Sequence, residues 1–256
     1  MLETARPQLQ RLIADQQAQR LAREQSAARL IAELLIDCAA CRRSVVSDAA
    51  QEQHAISELR KAVRQREQRC VESLLRLYAF RLQDATASDL PLLDGRWGDD
   101  LFNPETLKQL GVRVGGGIAA GAAAGAGVDL LVGGITLGAA ALAGAIAGGA
   151  LQTARSYGSR LLGKLKGQRE LTVDDNVLRL LALRQRQLLQ ALNARGHAAL
   201  DSIQVATPQD KSWREGKLPE ALNKARAHPQ WSSLNAHAKL NQAERQEQIE
   251  ALAQQL

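Results

Sequence analysis

At 256 residues the chain has room for one or two domains, and its three Trp, two Tyr and two Phe exclude a large aromatic core. A formal charge of +6 and a pI near 9.5 favour acidic partners, yet Lys and Arg are interleaved with Glu, Asp and Gln in the pattern of a solvated helix face. Three cysteines, an odd number, argue against a disulfide framework and for reduced thiols in a cytosolic compartment, and Arg6, Arg11, Asp15 and Arg20 interrupt any secretory apolar core.

Between Pro7 and Pro91 there is neither proline nor glycine, and Ala, Leu, Arg, Gln and Glu dominate, so residues 1–87 read as a long helical stalk. Apolar residues recur at heptad-like spacing: Leu35, Ala49, Ile56, Val63, Cys70 and Leu77 mark one position, with Ile31, Cys38, Val45, Leu59 and Phe80 as its partner. Arg42, Glu52 and Arg66 interrupt the pattern. The β-branched and polar run Ser44-Val45-Val46-Ser47-Asp48 predicts a break, after which Asp48 and Gln51 cap a second helix. One continuous stalk is the alternative.

A second region spans 88–170. Pro91, Gly95 and Gly98 mark a loop around Trp97, and Asn103-Pro104-Glu105 predicts a helix start, with the short helix stopping at Gly111. From Val114 to Leu151 the chain is almost all Ala, Gly and aliphatic, with Asp129 its one charge. Glycine weakens an isolated helix, but small residues about four positions apart form a stripe along which another backbone approaches closely. Gly117, Gly121, Gly125, Gly134, Gly138, Gly144 and Gly148 are the expected packing stripe of a helical hairpin. Its arms are Val114–Val128 and about 135–151, and it turns through Gly127, Val128, Asp129 and Gly133-Gly134.

Arms of roughly 22 to 26 Å are short against a hydrocarbon core of about 30 Å. The flanks nevertheless carry Lys108 and Arg113 before the hairpin and Arg155, Arg160, Lys164, Lys166 and Arg169 after it, a one-sided basic pattern. In that reading Arg155, Arg160, Lys164 and Lys166 meet phospholipid headgroups, Phe102 and Tyr157 sit near the interface, and Asp129 occupies the far tip. The competing reading buries the same hairpin inside a soluble helical bundle.

The third region, 171–256, is predicted to be helical. Thr172 with Asp175 forms a capping signature for a helix lined by Val173, Val177, Leu180, Leu181, Leu188 and Leu192 and ended by Gly196. An irregular stretch follows through Pro208 and Trp213, then a short helix Glu220–Ala227 before His228-Pro229, then a polar helix from about Asn235 to Ala253. No alternating pattern exceeds Ile203 to Val205, so the predicted class is all-α.

Few motifs survive inspection. Gly158 to Lys164 has most of the phosphate-loop spacing, but Leu165 stands where a magnesium-binding hydroxyl belongs, and Gly115 to Gly117 lacks a preceding strand. Cys38 and Cys41 share a helix face and His54 follows, a weak zinc pattern better explained by small buried thiols. Asp174-Asp175 reads as acidic charge at a helix start, and His197, His228 and His237 as carbonyl caps. Trp213 and Trp231 beside Arg214, Lys217, Lys224 and Arg226 read as loop anchors in preference to a nucleic-acid surface. No catalytic residue, cofactor or enzymatic activity is expected.

The segments Leu101-Phe-Asn-Pro-Glu-Thr-Leu-Lys-Gln-Leu-Gly111, the Gly/Ala run, Leu161-Leu-Gly-Lys-Leu and Arg169-Glu-Leu-Thr-Val-Asp-Asp175 resemble an uncharacterised bacterial domain. In that family the domain follows an N-terminal Ras-like GTPase domain. The resemblance covers about Ile31 to Trp231 and implies a GTPase-linked helical module, with the GTP-binding domain upstream of Met1. No intact Gly-x-x-x-x-Gly-Lys-Ser/Thr loop is present here, so no nucleotide-site residue carries over.

Together these readings predict a non-catalytic, cytoplasmic module, peripheral to or inserted in the inner membrane. Its expected partners are a GTPase domain in cis or in trans, the membrane, or a second copy of itself. A soluble scaffold or dimerisation domain is the alternative, and a pore-forming effector a third.

Overall fold

The computed structural model describes residues 2–46, 48–80, 90–103, 105–106, 128–131, 168–195 and 208–256. The stretch free of Pro and Gly folds as two helices, α1 (Leu2–Ala40) and α2 (Ala49–Leu77), joined through strand β1 (Arg42–Val46). The break falls where the β-branched pair Val45-Val46 favours extended backbone. Asp48 then caps α2, its carboxylate accepting from the Gln51 amide at 3.4 Å. At the other end Ala79 takes a left-handed φ of 55°, and the Ala79 and Phe80 amides donate to the carbonyls of Arg76 and Leu75. This is a Schellman stop with alanine in the usual glycine position.

The two helices run antiparallel. The Cys70 thiol lies 3.7 Å from the Leu30 carbonyl, Arg66 reaches Asp37, and the Arg23 guanidinium covers the Tyr78 ring at 5.6 Å. Their heptad positions Ile31, Leu35, Cys38, Ile56, Leu59, Val63 and Cys70 are all buried. Burying each such aliphatic side chain contributes about 1.5–3 kcal/mol before entropy is counted. From residue 8 to residue 23, α1 is exposed, and Leu9, Leu12, Ile13 and Leu21 face solvent.

The class is mainly α, but the expectation of an all-α chain fails at a small antiparallel sheet of order β1-β3-β2. Strand β2 is Val128–Leu131 and β3 is Gln168–Val173. Arg42 pairs with Thr172 and Val46 with Gln168 on one side of β3; Val128 pairs with Val173 and Leu131 with Glu170 on the other. Central β3 has Leu171, Thr172 and Val173 buried in succession, so it shows no alternation for a sequence reading to detect.

This sheet also corrects the expected turn of the Gly/Ala hairpin. Val128 to Leu131 is strand, and Asp129 pairs with Thr172 in the ladder where the turn was expected. Ladder hydrogen bonding to a buried strand decides the conformation there. The packing glycines Gly117, Gly121, Gly125, Gly134, Gly138, Gly144 and Gly148 lie outside the described residues, as do Arg155, Arg160, Lys164 and Lys166. Among the described residues no helix is long and apolar enough to cross a membrane.

Helix α3 (Asp175–Arg195) leaves β3 directly. Its cap is Asp174, whose carboxylate accepts from the Asn176 amide at 2.7 Å; Thr172, the expected cap, is a buried strand residue. The stretch expected to be irregular contains helix α4 (Pro208–Glu215), where Pro208 suits a first helical position. It ends at Gly216, where a Cβ would come within 2.5 Å of the Ser212 carbonyl oxygen. Helix α5 (Glu220–Ala227) has the expected bounds, and a 3-10 turn, Pro229–Trp231, follows. The last helix, α6 (Ala243–Ala253), is shorter than expected because Asn235 is spent on tertiary hydrogen bonds. Helices α5 and α6 both pack on α1, and buried Leu222, Ala225, Ile249 and Leu252 join its core.

Candidate functional site

The interior carries more charge than the composition suggests. Asp37, Glu67, Arg184, Arg186, Arg226 and Arg245 are all buried, and Arg42 keeps only 8% of its side chain exposed. The interleaved charges taken for a solvated face therefore include several that face inward, because a guanidinium satisfies backbone carbonyls and carboxylates together. Arg179 donates to the carbonyls of Trp213 and Gly216, Arg186 to that of Leu256, and Arg43 to that of Leu234.

One cluster is centred on Asp37, in the last turns of α1. Its Oδ2 accepts from Arg66 Nε of α2 at 2.6 Å and from the Ser233 hydroxyl at 2.8 Å; its Oδ1 accepts from the Ser233 amide at 3.0 Å and Arg245 Nη2 of α6 at 3.2 Å. The Asp37 carbonyl also accepts from the Ser232 hydroxyl at 2.7 Å, and Arg245 Nε donates to the Trp231 carbonyl at 2.8 Å. Burial pulls Arg66 down, but the Asp37 charge and hydrogen bond outweigh it and hold that guanidinium above its ordinary pKa. Every oxygen of this carboxylate has donors from separate elements, which is the condition for a buried ion cluster to hold a structure together.

Beside the sheet, Arg42 joins Glu170 at 3.2 Å and donates to the Arg226 carbonyl, while Arg226 pairs with Asp175 and donates to the Val173 carbonyl at 3.0 Å. Asn235 donates to the carbonyls of Ala40 and Pro229 and accepts from the Arg42 amide and from Arg43. These contacts fix the root of β1 and β3 to the C-terminal elements. Leu131 ends β2 and Gln168 begins β3 at the same end of the ladder.

A second acid cluster lies between α2, α3 and the loop 90–103. That loop turns at Leu93-Asp94-Gly95-Arg96, where φ of 49° and 72° at the two central residues make a type I′ hairpin closed by reciprocal Leu93 and Arg96 hydrogen bonds. Phe102 packs beneath Arg60 and Arg64, whose guanidinium carbons lie 5.4 and 4.9 Å from its ring, and Arg64 grips Asp100 through both oxygens at 2.8 and 2.9 Å. Phe102 is therefore buried under cations. Deeper in, Glu67 is 5% exposed; Arg184 Nη1 stands 3.6 Å from its Oε1, and Gln185 Nε2 donates to the same oxygen at 3.4 Å. Burial pushes the Glu67 carboxyl up to about 7, with Arg184 only partly opposing it. Arg184 spends its shorter contact, 2.7 Å, on the Asp99 carbonyl and stacks near Trp97 at 5.3 Å.

Of the weak zinc candidates, Cys38 and Cys41 are fully buried while His54 is exposed and borders an open recess of about 500 Å³ with Ser44, Val45, Ala50 and Gln51. Burial raises all three thiols, Cys41 to about 11 and Cys70 to about 12, so without a metal they are neutral at ordinary pH. Among the described residues no group of His, Cys, Asp and Glu is placed to hold a metal ion. Trp213 and Trp231 are buried anchors, the second stacked on His228 at 4.2 Å and donating to Gln242 at 2.6 Å. His228 Nδ1 lies 3.0 Å from the Lys224 carbonyl, as expected of a helix-end histidine.

Asp37 and Glu67 escaped the sequence reading. The available signal was a single acid inside an apolar run, Ile36-Asp37-Cys38, and a heptad interruption, Arg66, at the place where its partner sits.

The geometry defines a mainly helical protein whose elements are tied by buried arginine–carboxylate clusters around a three-stranded sheet. The chain belongs to the family described as a domain of unknown function (DUF3482), whose model matches residues 1–254. No curated protein and no solved structure matches it.

Proposed function

We propose that this chain is the non-catalytic helical module of a GTPase-linked bacterial protein, and that it works by presenting its Gly/Ala-rich segment to the inner membrane or to a partner. The observation that carries this reading is the β2–β3 ladder. It sets the last residue of β2 and the first of β3 at the same end of the ladder, on a central strand whose Leu171, Thr172 and Val173 are buried. Between those two strands the sequence is rich in small apolar residues and carries no charge from Val132 to Gln152. The basic residues Arg155, Arg160, Lys164 and Lys166 precede β3 in sequence, where they complement anionic headgroups. The link to a GTPase domain, in cis or in trans, rests on the sequence resemblance.

Flotation of the full chain with anionic and with neutral vesicles tests the reading, alongside a variant in which 132–167 is replaced by a Gly/Ser linker. Co-flotation of the intact chain with anionic vesicles, lost in the linker variant at unchanged melting temperature, is the expected result. A chain that stays at the bottom of the gradient with both lipids removes the membrane role.

A second reading, a soluble scaffold or dimerisation domain, is favoured by one observation. Leu9, Leu12 and Ile13 continue along α1 the helix face that carries buried Ala27 and Ile31, one five-turn period later, yet are themselves exposed. If this face pairs chains, replacing all three with Gln converts a dimer to a monomer by light scattering.

A further inference from the structure

The Glu67 cluster is built for a neutral acid. An ionised, buried carboxylate calls for short, charge-assisted donors, of about 2.7–2.9 Å from nitrogen. Glu67 Oε1 has only an amide at 3.4 Å and a guanidinium nitrogen at 3.6 Å, while the same guanidinium makes a 2.7 Å hydrogen bond to the Asp99 carbonyl. Three buried polar atoms around it, Arg184 Nη1, Gln185 Oε1 and Trp97 Nε1, have no hydrogen-bond partner among the described residues. One of these, Gln185 Oε1, is an acceptor, and a carboxylic acid O–H is a donor. A half-turn of the Gln185 amide exchanges its oxygen and nitrogen, bringing the acceptor against Glu67 with no backbone movement.

We propose that Glu67, Gln185 and Arg184 form a proton-operated latch that controls how firmly the loop 90–103 is held on the seam between α2 and α3. With a proton taken from solvent, Glu67 donates to Gln185, and Arg184 is left to hold the loop through the Asp99 carbonyl and the Trp97 ring. When the proton leaves, the buried carboxylate draws the guanidinium toward itself and off the loop. The other titratable groups that interact with Glu67 are Asp100 of the loop, Cys70 of α2 and Cys38 of α1, with Arg66 of α2 committed to Asp37. The Arg64 hydrogen bond holds Asp100 below its ordinary value, and burial holds Cys38 and Cys70 above theirs, so these three do not change charge near neutrality. The latch is independent of what the Gly/Ala segment binds.

Amide hydrogen exchange of 90–103, followed by mass spectrometry on the full chain at pH 6 and pH 8.5 and corrected for intrinsic rates, tests it. With a carboxyl near 7 in the closed state and an ordinary value once open, linkage predicts exchange about tenfold faster at pH 8.5. Segment 213–231, held by other contacts, serves as internal reference and is expected to accelerate less than 90–103. Glu67→Gln is expected to exchange at one rate at both pH values, no faster than wild type at pH 6. Equal wild-type rates at the two pH values overturn the latch, whether or not the variant folds. So do a pH dependence that survives in Glu67→Gln and an acceleration shared equally by the reference segment.

Discussion

Asp37 and Glu67 are the same chemistry in two states of completion. Each is a buried acid on one helix of the α1/α2 pair, and each is set against an arginine from another element. Asp37 receives four donors from three directions at 2.6 to 3.2 Å, and its oxygens are saturated. Glu67 receives one long hydrogen bond and a distant guanidinium whose better contact lies elsewhere. The difference teaches that burial of an ion pair does not by itself stabilise. The number and length of donors decide whether a carboxylate holds elements together or strains them.

Neutralising the two acids should therefore act in opposite directions. Asp37→Asn keeps the shape but leaves Arg66 and Arg245 without their counter-charge and turns an amide NH2 toward donors. A loss of about 3–5 kcal/mol, read from urea denaturation, is expected. A loss under about 1 kcal/mol would place Asp37 in the same category as Glu67.

Glu67→Gln comes next in size and is expected to stabilise. A carboxyl raised from 4.5 to about 7 in the folded chain means the folded state binds the proton more tightly than the unfolded one. Its contribution is full below pH 4.5 and is lost as the pH rises to about 7, so wild-type stability falls across that window. The Gln variant should match wild type near pH 4.5 and exceed it at pH 8 by on the order of 3 kcal/mol. Parallel melting curves at both pH values would break the contrast.

Outside the two acids, Asn235→Ala removes the bridge between the β1 root, the end of α1 and the 3-10 turn. About 1–3 kcal/mol should be lost, because the carbonyls of Ala40 and Pro229 lose their shared donor. Gly95→Ala introduces a side chain at φ 72° and should cost about 1–2 kcal/mol. If the loop 90–103 opens locally, that cost will appear as faster local exchange with little change in global melting.

Much of the helical scaffold was legible in local sequence. Absence of Pro and Gly marked α1 and α2, Val45-Val46 and Asp48 marked their break, and Pro219 with His228-Pro229 bracketed α5. The sheet was not legible: Arg42-Arg43-Ser44 looks like a charged helix end, and Leu171 to Val173 of β3 are buried in succession without alternation. The acid clusters were hidden for a related reason. Arg184 and Arg186 sit in a run that reads as amphipathic helix, and only the arrival of the 90–103 loop and the C-terminal turn tells that their guanidinia face inward.

Backbone preference and apolar spacing, properties of neighbouring residues, determined by themselves where this chain is helical and where its first helix must break. Only the tertiary structure decided which charges are buried, how completely each is satisfied, and that Val128 to Leu131 joins a sheet with Gln168 to Val173. Those outcomes depend on groups far apart in the chain meeting, such as Asp37 with Arg245 where water is excluded and Asp129 with Thr172 along the ladder. The strength of a hydrogen bond or ion pair is set by that meeting and by no property of either residue alone.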